Sequence, residues 1–302
     1  MLTPRALNVL QGDHRPFNTT RMGDWYIVTK KINGKAYRYR QRTWRDGKSV
    51  RTESQYIGPL GADEFSGIPK SLASCNNEGN MMKPILSILP EPQRALWDEL
   101  STTPSGFTLY GGTAIALRLG HRYSVDFDFF SARQFDPTEL RASIPYLAGS
   151  TLRQSTPNTL TVSVERGGPV QLSYFGGLER LGQVAAAEVV EGPKIAVASL
   201  LDLSATKVAV VYKRCEVKDY IDIHALLTTG GIPLPVMLSA AAVIYGAEFN
   251  PLISLKAISY HADLDLNDFP ASMRRDLVTA VRKVDVTSLP AIDALRHWKE
   301  RP

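Results

Sequence analysis

The 302-residue chain is short of cysteine, of long apolar runs and of histidine patterning, and each shortage removes a class of protein. Its two cysteines, Cys75 and Cys215, stand outside any CxxC or Cys/His cluster, which argues against a disulfide scaffold and against structural zinc. The five histidines (His14, His121, His224, His261 and His297) show no ligand spacing, and His224, on the apolar segment 221–227, reads as a packed core residue. No stretch approaches the ~18 uninterrupted apolar residues of a membrane span. The opening MLTPRALNVLQGDHRPF lacks the apolar core of a signal peptide. The expectation is a cytoplasmic microbial protein with no membrane partner. Internal repeats are also lacking.

What is present is an ordinary globular composition, 44% apolar and 22% charged, long enough for about two domains. The charge is unevenly placed. Residues 1–70 hold 13 Lys/Arg against 6 Asp/Glu, a net +7; the rest hold 22 against 24, a net −2. Residues 1–22 show no period and read as a mobile tail. Within 23–60, WYIVTKK, AYRYRQRTW and SVRTESQYI are β-prone runs separated by Asn33-Gly34 and Asp46-Gly47, strong hairpin signals. They predict a basic three-stranded antiparallel β-meander. In its middle strand Arg38, Arg40 and Arg42 share one face, and Tyr37, Tyr39 and Gln41 the other. Basic residues interleaved with aromatics suit contact with DNA or RNA. A solvated sheet whose aromatic face packs on a neighbour is the other reading. Residues 61–80, rich in Gly, Ser, Pro and Asn, read as a linker.

The chemistry concentrates in Phe107–Phe130, FTLYGGTAIALRLGHRYSVDFDFF. A short strand, 107–110, leads through Gly111-Gly112 into a helical segment, 113–119. A second strand, 125–130, carries Asp126 and Asp128. Acids two residues apart on a strand share a face, with Cα atoms roughly 6.7 Å apart. Two carboxylates side by side among Val and Phe repel each other, so a divalent cation, Mg²⁺ or Mn²⁺, is expected to neutralise them. Such a pair beside the amides of a glycine turn and helix N-terminus is suited to nucleotide transfer from an NTP. The bland alternative is an edge strand whose acids face water.

Gly111, Gly112, Thr113, Ala114, His121, Arg122, Ser124, Asp126 and Asp128, in that order and spacing, resemble the DNA-polymerase-β-type nucleotidyltransferases, and more narrowly the AbiEii/AbiGii toxin group that includes the MenT toxins. The likeness covers about residues 82–285. It continues in a K…R…KDxxD block, here Lys207, Arg214, Lys218, Asp219 and Asp222. On one continuous helix the offsets of 7 and 11 return Lys207, Arg214 and Lys218 to nearly one face, and Lys218 can pair with Asp222. Alone, that pattern equally suits an exposed helix laced with ion pairs.

The resemblance implies an α+β fold: a polymerase-β-like mixed sheet with helices over 81–195, then a C-terminal helical cap over 196–302. It implies catalytic Asp126, Asp128, Lys207 and Asp219, with Asp126 and Asp128 as metal ligands. Gly111, Gly112, Thr113, Arg122, Ser124, Arg214 and Lys218 would contact the NTP. Asp219 would orient Lys207 or act as a base; Ser124 would contact a phosphate or itself be modified. The family's third carboxylate has Gln171 and Ser173 at its expected positions. Either two carboxylates and substrate phosphates hold one metal, or Glu165 substitutes, or the enzyme is weakened. The implied activity is Mg-dependent transfer of an NMP to a hydroxyl of RNA (tRNA among them) or protein, by the toxin of a toxin–antitoxin or phage-defence pair with its cognate antitoxin as partner. The rival is a catalytically weak protein of the same fold that binds nucleic acid or a partner, and kinase-like phosphoryl transfer is a third reading.

Overall fold

The structure, a computed structural model, describes residues 26–32, 35–46, 49–60, 81–178, 182–214, 216–261 and 269–295. The expected tail at 1–22, the linker at 61–80 and the hairpin turns at 33–34 and 47–48 lie outside them. The chain divides into two compact units, residues 1–60 and 61–302.

The first unit holds β1 (Tyr26–Ile32), β2 (Lys35–Asp46) and β3 (Ser49–Leu60), paired antiparallel in the order β1-β2-β3. This is the expected meander, with two differences. The β2–β3 ladder extends to Asp46↔Ser49, so Asp46 is a strand residue and not part of the turn. At the other end β3 runs three residues beyond Ile57, and Tyr37 pairs with Pro59. A proline is tolerated there because β3 is an edge strand whose outward groups need no ladder partner. A register shift between Arg38 and Tyr39 leaves Ile57 as the extra residue.

The second unit is built on a seven-stranded mixed sheet in the order β6-β7-β8-β5-β4-β10-β9. Its strands are β4 (Thr108–Tyr110), β5 (Asp126–Phe130), β6 (Thr151–Thr156), β7 (Thr159–Glu165), β8 (Pro169–Phe175), β9 (Glu188–Val189) and β10 (Ala196–Val197). β5 pairs parallel with β8 and antiparallel with β4, and β10 pairs parallel with β4. The boundary expected at 195/196 therefore falls inside this sheet, since β10 is one of its strands. Strands β6, β9 and β10 had no signal in the sequence, being either exposed at every position without apolar alternation or two residues long.

Eight α-helices lie among the described residues. They are α1 (Glu91–Leu96), α2 (Gly111–Leu119), α3 (Pro137–Ser143), α4 (Leu200–Arg214), α5 (Val217–Thr228), α6 (Leu234–Tyr245), α7 (Pro251–Ser259) and α8 (Ala271–Arg282). Helix α3 stops at Ser143, because Ile144 precedes Pro145 and takes an extended conformation (φ −98°, ψ 114°). The mixed α+β class and the helical C-terminal half are as expected, although Ala294 and Leu295, within the expected cap, are not helical.

The sheet has two unlike faces. Alternation buries Phe127 and Phe129 of β5, Leu160, Val162 and Val164 of β7, and Val170, Leu172 and Tyr174 of β8 on the rear face. The front face carries Asp126, Asp128 and the polar residues level with them. Helix α4 begins with a reciprocal cap in which the Ser199 hydroxyl and Asp202 bond each other and Asp202 also accepts from the amides of Val184 and Ala185. That cap ties the loop after residue 182 to the start of the helix that delivers Lys207.

Candidate active site

Asp126 and Asp128 emerge on the front face of β5, both half-buried, in the middle of the sheet. Among the described residues neither carboxylate makes a hydrogen bond or an ion pair. Burial raises the pKa of Asp126, against the pull of Lys218 and Arg122. Burial, and then the charge of Asp126, raise that of Asp128, against Lys207, Arg214 and Lys218. The cationic block therefore lies within electrostatic reach of the acids, and the acids hold more negative charge than their own contacts satisfy.

The glycine turn closes on this pair. Gly111 directly follows Tyr110, which is level with Asp128 across the β4–β5 ladder. Its φ is +74°, and a Cβ there would sit 2.5 Å from Asp128 Oδ2. A Cβ on Gly112 would lie 2.1 Å from Arg122 Nη2 and 3.5 Å from Asp222 Oδ2. Both positions thus need glycine, one for its backbone angle and both for lack of space. The first turn of α2 has no side-chain cap, so no capping side chain takes up its leading amides.

Beyond the glycines is a lattice of buried charge. Asp222, fully buried, accepts from His121 Nε2 at 2.6 Å and from Arg122 Nε and Nη2 at 2.6 and 2.9 Å, and pairs with Lys207 Nζ at 2.7 Å. Asp219, also fully buried, accepts from Lys207 Nζ at 2.8 Å and from Arg214 Nε and Nη2, each at 2.8 Å. Burial alone would raise the pKa of Asp222, but Lys207, His121 and Arg122 hold it far below the usual carboxylate range. Burial likewise opposes Arg214 and Lys207 at Asp219, and the cations again win. For His121 burial wins over the bonds to Asp222 and lowers the pKa. A neutral ring bonded to a carboxylate carries its proton on Nε2, which leaves a buried Nδ1 with no partner among the described residues.

Several expectations change here. Lys207 to Asp222 is not one continuous helix: α4 ends at Arg214, and Glu216 is extended (φ −94°, ψ 134°) before α5 begins. On one helix Lys207 and Asp219 would stand roughly 18 Å apart along the axis. The break folds α5 back, and they meet at 2.8 Å. Lys218 does not pair with Asp222 but with Glu216 at 2.8 Å, on the surface. Lys207 is buried, whereas Arg214 and Lys218 stay partly exposed.

Thr113 and Ser124 also differ from the phosphate contacts expected of them. Both are buried; the Thr113 hydroxyl donates to Ser124 Oγ at 2.7 Å and contacts the carbonyl oxygen of Asp126. They brace the start of β5. Gln93, on α1, does the same from another side by donating to the carbonyl of Val125 at 2.9 Å. Neither Gln93 nor His121 had been given a role from the sequence. Asp219, held by three cationic nitrogens at lowered pKa, orients Lys207 and Arg214 and is not poised as a base.

The two carboxylates fit a divalent cation as a donor set: hard oxygens on one face, partly desolvated, with no protein cation bonded to them. The third position stays without an acid. Asp126 is level with Gln171 and Asp128 with Ser173 in β8, and beyond them with Ser163 and Thr161 in β7. Glu165 is level with Pro169, two strands away and one pleat further along, roughly 12 Å from Asp126 by strand geometry. It is exposed, and among the described residues no cluster of three or more His, Cys, Asp or Glu is placed to hold a metal. Arg38 and Arg40 lie in register with Thr29 and Ile27 of β1, and Arg42 with Glu53 of β3. Among the described residues no helix is long and apolar enough to cross a membrane. His224 is buried, as expected, and bonds Asp276 at 3.1 Å.

In comparisons with known proteins, no curated protein matches. Among solved structures the nucleotidyltransferase toxin MenT4 of Mycobacterium tuberculosis H37Rv is similar at 15% identity, with a TM-score of 0.44 over 63% of this chain and 82% of that one. The family described as the nucleotidyl transferase AbiEii toxin of type IV toxin–antitoxin systems matches residues 94–297. With its motif residues assembled around one site and two thirds of its length matched, the chain belongs to the AbiEii family of nucleotidyltransferase toxins.

Proposed function

We propose that this nucleotidyltransferase moves a nucleoside monophosphate from an NTP to a hydroxyl of RNA, tRNA included, or of a protein, and that a cognate antitoxin restrains it. The observation that carries the reading is the pair Asp126/Asp128, charged but unpaired, across Gly111-Gly112 from the Arg122–Asp222–Lys207–Asp219–Arg214 lattice. Asp126 and Asp128 would hold Mg²⁺ or Mn²⁺, which supplies charge neutralisation at the reacting phosphate. Two carboxylates leave the remaining coordination positions to water and phosphate oxygens.

The chain's own groups divide the rest of the work. The uncapped amides at Gly111 and Gly112 face phosphate oxygens. Arg214 and Lys218, the accessible cations, take the outer phosphates and offset charge developing on departing pyrophosphate. Arg122 and Lys207 are locked by Asp222 and Asp219, so their field is in place before substrate arrives and needs no reorganisation during transfer. The acceptor oxygen attacks the α-phosphorus, the bond to the β-phosphate bridging oxygen breaks, and the acceptor proton leaves to solvent.

The test is incubation of the enzyme with α- or γ-labelled NTP, Mg²⁺ and total tRNA or cell extract. Label from the α position alone, appearing on RNA or protein and lost in Asp126→Asn and Asp128→Asn, is the expected result. Transfer of the γ label would replace this reading with phosphoryl transfer.

A further inference from the structure

The break that separates α4 from α5 does more than fold the second helix back. It leaves Glu216 at the N-cap position of α5, extended, with a side chain that makes no capping bond. Helix starts favour Asp, Asn, Ser or Thr there, whose short side chains reach the leading amides, and Glu is not among them. The carboxylate turns to Lys218 instead, with Oε2 2.8 Å from Nζ. Residues two apart on a helix do not face each other, so this pair exists only because Glu216 lies off the helix. The main chain is fixed separately, by the bond from the Asp219 amide to the Glu216 carbonyl at 2.9 Å. The ion pair itself is loosely made. Both side chains are nearly half exposed, at 48% for Lys218 and 42% for Glu216, and such pairs contribute little to stability. The Glu216 Oε2 atom is shielded from solvent, yet it has no well-directed hydrogen bond among the described residues, so the contact is ionic and can be exchanged.

What surrounds the pair gives it consequence. The charge of Lys218 acts on both Asp126 and Asp128. The charge of Glu216 reaches Arg214, whose pKa is raised chiefly by its bonds to Asp219 and further by Glu216. Glu216 therefore acts on both of the accessible cations. Asp219 and Asp222 are committed to the buried lattice, and Asp126 and Asp128 form the pair suited to a metal. Glu216 is the carboxylate at this site that neither holds a buried cation nor belongs to the metal pair, and its charge opposes an incoming polyphosphate. We infer that Glu216 is a positioning residue for substrate binding, an exchangeable counter-ion that occupies Lys218 in the free enzyme and yields it to the polyphosphate of the NTP. The inference rests on the reading in which Lys218 contacts phosphate, and it adds how that contact is regulated. A triphosphate carries several negative charges and displaces a single loosely held carboxylate. After transfer the carboxylate reclaims Lys218, which favours departure of pyrophosphate.

The probe is inorganic tripolyphosphate in excess Mg²⁺, which carries the phosphate chain without a base, titrated against the full chain by calorimetry. Glu216→Gln should bind it about fivefold more tightly than the wild type at low salt, because the competing carboxylate is gone while Lys218 remains. The gain should shrink as salt rises, since it is Coulombic and close to solvent. Lys218→Ala should bind more weakly than the wild type. Adding Glu216→Gln to Lys218→Ala should bring no gain, because the carboxylate then has no cation to occupy.

Equal or weaker binding by Glu216→Gln overturns the counter-ion role. So does an undiminished gain in the Lys218→Ala background, which would make Glu216 a general repulsive charge, and so does binding by neither the wild type nor Glu216→Gln. These titrations need no turnover. If α-label transfer is absent while the two substitutions prove coupled, the nucleotidyl-transfer reading falls and the counter-ion stands. If transfer occurs and the substitutions are uncoupled, the counter-ion alone falls.

Discussion

Replacing Asp128 by Asn should make the protein more stable at pH 7 while abolishing transfer. Asp128 is half-buried, has no bonded partner among the described residues, and stands next to Asp126 on the same face. Two unit charges about 6 Å apart at an effective dielectric of ~20 repel by about 2.8 kcal/mol. Half-exposure of Asp126, solvent screening and the nearby Lys207, Arg214 and Lys218 reduce the net gain on neutralisation to about 1 kcal/mol. For a unit of this size that is a rise in Tm of about 2–4 °C.

The pH dependence has a definite sign. The folded pKa of Asp128 is raised above its unfolded value, so the cost of its charge is fully present above the folded pKa and relieved as pH falls toward about 4. The Asn advantage should therefore be largest near neutrality and vanish at about pH 4. Thermal melts from pH 4 to 8, with and without Mn²⁺, would read this directly. Mn²⁺ should raise the Tm of the wild type and leave that of Asp128→Asn unmoved. An Asn variant that is no more stable at pH 7, or whose advantage persists at pH 4, would refute the claim that these acids are held together at a cost.

Asp222→Ala should destabilise by about 3–5 kcal/mol, because Lys207, Arg122 and His121 lose their shared buried partner; urea titration measures it. Since the folded pKa of Asp222 is depressed, its stabilisation is fully present above about pH 4 and lost as pH falls below that, so the variant's deficit should shrink in acid. Gly112→Ala should cost at least about tenfold in kcat/KM for the NTP, because its Cβ must push the Arg122 guanidinium off Asp222, and Arg122→Lys in the same background should recover little. Arg38→Ala, Arg40→Ala and Arg42→Ala combined should lower low-salt RNA affinity and flatten its salt slope by up to about three, with NTP binding untouched; an unchanged slope would remove the meander from nucleic-acid contact.

The parts legible in the sequence were those set by local chemistry. Alternation and the Asn-Gly and Asp-Gly turn signals marked β1–β3, and a short apolar run carrying two acids marked β5; the glycine pair ahead of that acid-x-acid strand marked the candidate active site. What stayed hidden had weak or absent local signals. β9 and β10 are two residues each and exist because β4 offers an edge, and β6 is exposed at all six positions and has no apolar alternation to betray it. Gln93, outside every motif, matters only because α1 lies beside Val125.

By itself, then, the sequence determined which residues carry charge and which strand presents Asp126 and Asp128, because a two-residue period decides that locally. The tertiary structure decided which of those charges are free. A helix break between Arg214 and Val217 turned a supposed row of phosphate-binding cations into a buried lattice, because spatial pairing over a dozen residues depends on chain direction and not on helical phase. It left Arg214 and Lys218 at the surface, buried Ser124 and Thr113 against each other, and placed no acid at the third position, since strand register alone decides what stands beside Asp126 and Asp128.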